Sequence, residues 1–204
     1  MTGLAIRTFL TMLVVIDPVG LVPMFLALAG DRPAAEQRSI ALRAILTASG
    51  ILISFGVGGS WLLGRLEISL NAFRVAGGLL LFRIAVQMVF ASYERGTKAE
   101  KDEARGRQDI SVFPLAIPMI AGPGAIASLL ILVGESRAYP LGFVLVLAMT
   151  GIVLMLGHLA LVISEPIGRL LGQTGVNVVT RVLGILLAAL AVQYVADGVR
   201  GLLA

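Results

Sequence analysis

The chain has no cysteine, one histidine and one tryptophan, and only 14% of its 204 residues are Asp, Glu, Lys or Arg. Without cysteine there is no disulfide framework and no thiolate metal site. With His158 alone, and no carboxylate cluster inside an apolar stretch, no metal site is expected. Enzyme signatures are missing as well. There is no serine nucleophile with a histidine partner, no HExxH and no phosphate loop, and the glycine-rich runs lie inside apolar stretches. An ordinary soluble domain carries roughly 25% charged residues, so this chain has too few to cover a water-facing surface. What it has instead is 58% hydrophobic residues, 24 glycines and a mean hydropathy of +0.97. That is the composition of a multi-pass membrane protein. The formal net charge of +4 does not argue for nucleic acid, because Lys and Arg fall in the segments between apolar runs. No cleavable signal peptide is expected, since the first apolar run has one basic residue before it and no small-residue cleavage site after it.

Spans of roughly 20 apolar residues cross a bilayer. They read at about 4–29, 42–64, 70–92, 110–133, 139–163 and 177–197. The one long connection, "SYERGTKAEKDEARGRQDIS" at 92–111, is charged and mixed in sign, as a solvated loop would be. Six spans place both termini on one side. Arg32, Arg38 and Arg43, then Arg95, Lys98, Lys101, Arg105 and Arg107, then Arg169 and Arg181 fall on one side. Arg7, Arg65, Arg74, Arg137 and Arg200 fall on the other. The positive-inside bias puts both termini outside the cytoplasm, in a cell (inner) membrane.

The chain also resembles itself. "NAFRVAGGLLLFRIAVQMV" at 71–89, laid on "NVVTRVLGILLAALAVQYV" at 177–195, matches Asn71 with Asn177, Gly78 with Gly184, Ala85 with Ala191 and Gln87 with Gln193. Nearly the same shift sets Pro18 on Pro123. Two halves of three spans each, 1–92 and 110–204, are joined by the charged loop 93–109. An odd number of spans per half inverts the second relative to the first, the architecture of many secondary transporters. The expected fold is therefore all-α, with six transmembrane helices in two inverted three-helix repeats and helices 1 and 4 discontinuous.

The discontinuities are written in "VVIDPVGLVP" at 14–23 and "IPMIAGPGAIAS" at 117–128. Pro18 has no amide to donate and disfavours helix at Asp17. Gly20 loosens the backbone, and Pro23 is expected early in a new helix. Pro118, Gly122, Pro123 and Gly124 repeat the pattern. Broken helices in hydrocarbon are tolerated only where protein or a cavity satisfies their backbone. Matching breaks in inverted halves face each other near the midplane. Half-helix amides at Gly20, Leu21 and Val22, and at Gly124, Ala125 and Ile126, would suit a carboxylate, and unwound carbonyls an ammonium or cation. Asp17 can bind a substrate ammonium, take up a coupling proton, cap the second half-helix or pair with a buried arginine.

Arg83, near the middle of the third span, is expected to pair with Asp17 or to face a water-filled vestibule. Gln87 and Gln193 are secondary candidates for substrate contact or interhelical bonding. His158 reads as an interfacial or packing residue, with proton relay as the alternative. Arg74 and Arg181 read as interface anchors, and "GVGGS" at 56–60 as a close-packing face.

"DPVGLVPMF", "PLAIPMIAGPGAIAS" and six spans in this length resemble the MarC family of inner-membrane proteins, which includes SnatA-type small neutral amino acid transporters. The resemblance covers essentially the whole chain. It implies an inverted bundle and transport of a small zwitterion such as glycine or alanine, proton-coupled, with H+ or Na+ as coupling ion and no other cofactor. By motif, Asp17, Pro18, Gly20 and Pro23 would form one half of the site, and Gly122, Pro123, Gly124 and Ala125 the other. Many members carry Asn at the position of Asp17. Expected partners are the substrate and the lipid bilayer, with no nucleic acid and a homo-oligomer left open. The rival functions are an exporter or channel for another small solute or ion, and a non-transporting scaffold.

Overall fold

A computed structural model describes residues 1–90 and 110–203. The charged loop expected at 93–109 lies outside the described residues. The described chain is helical throughout: α1 (Thr2–Ile16), α2 (Pro18–Ala29), α3 (Ala34–Arg65), α4 (Leu70–Val89), α5 (Ser111–Ile120), α6 (Pro123–Ser136), α7 (Gly142–Val162) and α8 (Ser164–Leu203). Five stretches are long and apolar enough to cross a membrane, with α1 and α2 counted together as one. The pair α5–α6, bent by 53°, makes a sixth when taken as one span.

Helix ends extend beyond the expected spans where local chemistry favours helix in polar sequence. α3 begins at Ala34, after Pro33, and holds Glu36 in its first turn. Glu36 accepts from Arg32 at 2.6 Å, and Gln37 donates to the Arg32 carbonyl at 2.9 Å, which ties the α2–α3 turn down. Hydropathy is blind to this stretch because its residues are good helix formers without being apolar. α4 starts where Ser69 accepts from the Ala72 amide at 3.1 Å. α8 is broken at Gly172 (φ 58°), so its apolar span is Thr174–Leu203. α5 is not a regular helix. Phe113 (φ −128°, ψ 125°) and Ile117 (φ −125°, ψ 126°) are extended because each precedes a proline.

Two apolar clusters hold the bundle. The larger joins α1, α2, α3, α5, α6 and α7 around Phe25, Leu52, Leu115, Leu129 and Val146. The smaller joins Val14, Leu81, Ala85, Ile131, Leu187, Ala191 and Tyr194 from α1, α4, α6 and α8. Ile6, Val57, Trp61, Val144, Met155 and Val182 stay exposed, as side chains facing lipid do.

α4 and α8 run antiparallel with backbones in close contact. A Cβ on Gly78 would stand 2.8 Å from the Ala191 carbonyl oxygen and from Val195. A Cβ on Gly184 would stand 2.8 Å from Met88, 3.1 Å from Val89 and 3.2 Å from the Ala85 carbonyl oxygen. In the self-alignment, Gly78, Ala85 and Val89 correspond to Gly184, Ala191 and Val195, so the contact is reciprocal. At one end of the bundle, Asn71 donates to the Gly201 carbonyl at 2.7 Å and Arg7 pairs with Glu135 at 3.0 Å. Both termini therefore lie at that end.

Candidate functional site

The first interruption is one residue long. Asp17 closes α1 and opens α2 in the left-handed region (φ 47°, ψ 72°), which Asp and Asn tolerate better than most side chains. Its amide donates to the Leu13 carbonyl at 2.9 Å, and its own carbonyl accepts from Leu21 at 3.2 Å. Its carboxylate accepts from the Gly20 amide at 3.0 Å, with Pro18 at the first helical position. A Cβ on Gly20 would overlap that carboxylate. The D-P-x-G stretch is thus a capping turn whose glycine makes room for the cap. Asp17 is fully buried.

Pro23 departs from expectation. α2 already begins at Pro18, so Pro23 falls inside the helix, and it is exposed on the outer face of the bundle rather than turned toward the break. Its ring leaves the Val19 carbonyl without a helical donor. Leu21, by contrast, is buried in the core that holds the second break.

The second interruption is built differently. Gly122 (φ −77°, ψ 173°) precedes Pro123 at the start of α6, and no side chain caps this turn. The Gly122 carbonyl accepts from Ile126 at 3.0 Å. The amides of Gly124 and Ala125 therefore have no partner within the helix. Both residues are buried, while Pro123 is exposed. A Cβ on Gly122 would overlap the Pro118 carbonyl oxygen. One on Gly124 would stand 2.9 Å from Ile84 Cδ1, 3.1 Å from Leu81 Cδ2 and 3.7 Å from Val15 Cγ1.

That last contact brings the interruptions together. Val15 lies two residues before Asp17, and Ile16, Leu21, Ile120, Ala121 and Ala125 share one buried cluster. Chemically the two ends differ: the first carries a carboxylate that caps its helix, the second carries two uncapped amides.

Other expected members lie elsewhere. Arg83 is exposed while Asp17 is fully buried, and among the described residues no ion pair joins them. On α4 the buried side runs through Gly77, Gly78, Leu81, Ala85 and Met88, and Arg83 falls off it. Gln193 is exposed and donates to Asp197 at 2.8 Å, a bond within one helix rather than a substrate contact. Gln87 and His158 are half-buried and Arg181 is exposed.

Arg74 is more than an interface anchor. It donates to Glu135 at 3.2 Å and to Asn71 at 3.3 Å, and Glu135 also takes Arg7 at 3.0 Å. This cluster escaped sequence reasoning, although Arg7 and Glu135 are opposite charges at the edges of spans expected to run antiparallel. Above it the Arg7 guanidinium lies 5.9 Å from the centre of the Tyr194 ring.

Nearly the whole chain, residues 3–203, matches the model of the MarC family integral membrane proteins. It is 35% identical to a UPF0056 membrane protein of Methanocaldococcus jannaschii over 201 residues, covering 97% of each chain. It is 37% identical to a UPF0056 membrane protein of Aquifex aeolicus over 202 residues, covering 98% of this chain and 94% of the other. It is 34% identical to the UPF0056 membrane protein YhcE of Escherichia coli over 202 residues, covering 96% and 92%. No solved structure matches. On its full-length match and on these relatives, the chain belongs to the MarC family of integral membrane proteins.

Proposed function

We propose that this protein is a secondary transporter of small neutral amino acids, glycine or alanine, of the SnatA type and driven by a proton gradient. One observation carries the reading: two helix interruptions, one from each half of the chain, meet in a single buried core. The substrate carboxylate lies on the free amides of Gly124 and Ala125, at the positive end of α6. Its ammonium lies toward Asp17. Gly20, Gly122 and Gly124 pack closely against Asp17, Pro118 and Ile84, which supports a ligand no larger than a small amino acid. The reciprocal contact of Gly78 and Gly184 supports the further reading that the halves are inverted repeats. Within that reading both termini face outward across a cell inner membrane. Asp17 serves first as a cap, since its carboxylate already holds the Gly20 amide.

Purified protein in proteoliposomes, given labelled glycine or alanine with and without an inward proton gradient, tests the reading. Uptake that follows the gradient supports it. Gradient-independent flux, or flux of other solutes only, moves it to a channel or exporter. No flux under any gradient leaves a scaffold.

A further inference from the structure

The end of the bundle that carries both termini holds a charged group with more cation than anion. Glu135, at the end of α6, places one carboxylate oxygen 3.0 Å from Arg7 and the other 3.2 Å from Arg74. Two guanidiniums from different helices thus clasp one carboxylate, oxygen by oxygen, a geometry suited to planar anions. Two further acids lie at this end: Asp197 is turned to Gln193 at 2.8 Å and to Arg200 at 3.9 Å, and Glu67, in the turn before α4, is exposed. Arg7 remains 40% exposed, so the clasp is reachable from outside, whereas Glu135 and Arg74 are 16% and 19% exposed.

A second observation points inward from the clasp. Thr8 and Ser128 are buried, and their hydroxyls have no hydrogen-bond partner, nor has the Arg74 Nε. Tyr194 lies near Thr11 and within electrostatic reach of Arg7, Arg74 and Glu135. Buried polar atoms are nearly always paired, and three such orphans between the ion cluster and the break call for a cause. Register supplies one. α1 and α6 run antiparallel, with Arg7 opposite Glu135 and Val15 beside Gly124. Thr8 follows Arg7 along α1, and Ser128 lies one turn from Gly124 on the same face of α6. The orphan hydroxyls therefore line the seam from the charged end down to the free amides of the break.

We infer that Arg7 and Arg74 form a carboxylate-binding site, held in this conformation by the chain's own Glu135, where a solute carboxylate replaces Glu135 before passing along the α1–α6 seam. The displaced Glu135 is then free to take the solute's ammonium, so an α-amino acid meets both of its charges in one place. This deepens the transport reading, on which its role as the first substrate contact rests. Carboxylate binding itself does not require transport.

The test uses the full chain in detergent, with acetate as a carboxylate lacking an ammonium and methylammonium as the opposite control. Binding is read as the ligand-dependent rise of the unfolding midpoint. Glu135→Gln removes a tethered competitor, and apparent acetate affinity rises by about tenfold or more over the wild type. Glu135→Asp keeps the charge but is one methylene too short to span both guanidiniums. It gives a smaller rise and secures the test should the glutamine variant not fold. Arg74→Lys, added to either variant, abolishes the gain because the ammonium lacks the fork. Affinity equal to the wild type in a folded Glu135 variant overturns the site, as does a gain that survives Arg74→Lys or an equal gain for methylammonium. Glycine flux is measured separately in proteoliposomes. An acetate gain without flux removes the transport reading and keeps the site, and flux without the gain does the reverse.

Discussion

Replacing Asp17 in three ways separates its work as a cap from any work as a charge. Asn keeps an oxygen for the Gly20 amide, which Asp17 now holds at 3.0 Å. It also tolerates the left-handed backbone at φ 47°. At the cap this gives up the attraction of a negative charge for the start of α2, about 0.3–1 kcal/mol. Gly gives up the cap but is at ease in the left-handed region, and caps lost to Gly cost a few tenths of a kcal/mol. Ala loses on both counts, about 1 kcal/mol for the cap and about 1 kcal/mol for left-handed geometry with a Cβ. In a chain of this size about 2 kcal/mol lowers the unfolding midpoint by roughly 4–8 °C. Thermal unfolding of the three variants in one detergent should rank Asn and Gly near the wild type and Ala well below. A fall for Asn as large as that for Ala would refute the capping account and make the charge itself structural. Glycine uptake by the same proteins then separates capping from proton coupling. Retained flux in Asp17→Asn means the carboxylate carries no coupling proton, whereas lost flux with intact stability assigns it one.

The reciprocal helix contact makes a paired prediction. Gly78→Ala and Gly184→Ala each meet backbone or Cβ atoms near 2.8 Å, so each should destabilise by about 1–3 kcal/mol, and by similar amounts, in thermal unfolding. Gly59→Ala meets only the end of the Leu130 side chain, which can turn away, and should cost less than either. Gly122→Ala pushes against the Pro118 carbonyl and should lower stability by about 1–3 kcal/mol, read in the same assay, with glycine uptake falling as α5 shifts from α6. Tyr194→Phe removes a buried hydroxyl that meets the Thr11 side chain, so stability should fall by no more than about 1.5 kcal/mol while uptake falls if the seam carries the substrate.

Local chemistry was the legible part of this chain. Pro18, Gly122 and Pro123 act on the few residues beside them, so the positions of both interruptions could be read without tertiary information. For Asp17 the same logic offered a cap as one of four readings, and only the bond to the Gly20 amide shows that the cap is made. Helix phase was not legible. In a membrane span apolar side chains cover the lipid side as well as the packed side, so hydrophobic periodicity fails to say which way Arg83 points. It points outward, and the expected pair with Asp17 fails for that reason. Pro23 was misplaced because the rule that prolines start helices had two candidates five residues apart, and Pro18 took the position. The Arg7, Arg74 and Glu135 cluster depends on three helices meeting at one end, which no window along the chain contains.

The exchange of contacts between Gly78 and Gly184 bears on how such a chain could have arisen. Each glycine receives the segment that follows its counterpart, so the surface is self-complementary. A chain of half this length, entering the membrane in both orientations, would meet a second copy through the same face, as a two-fold dimer does. Fusing two such copies head to tail keeps that interface and removes its dependence on concentration.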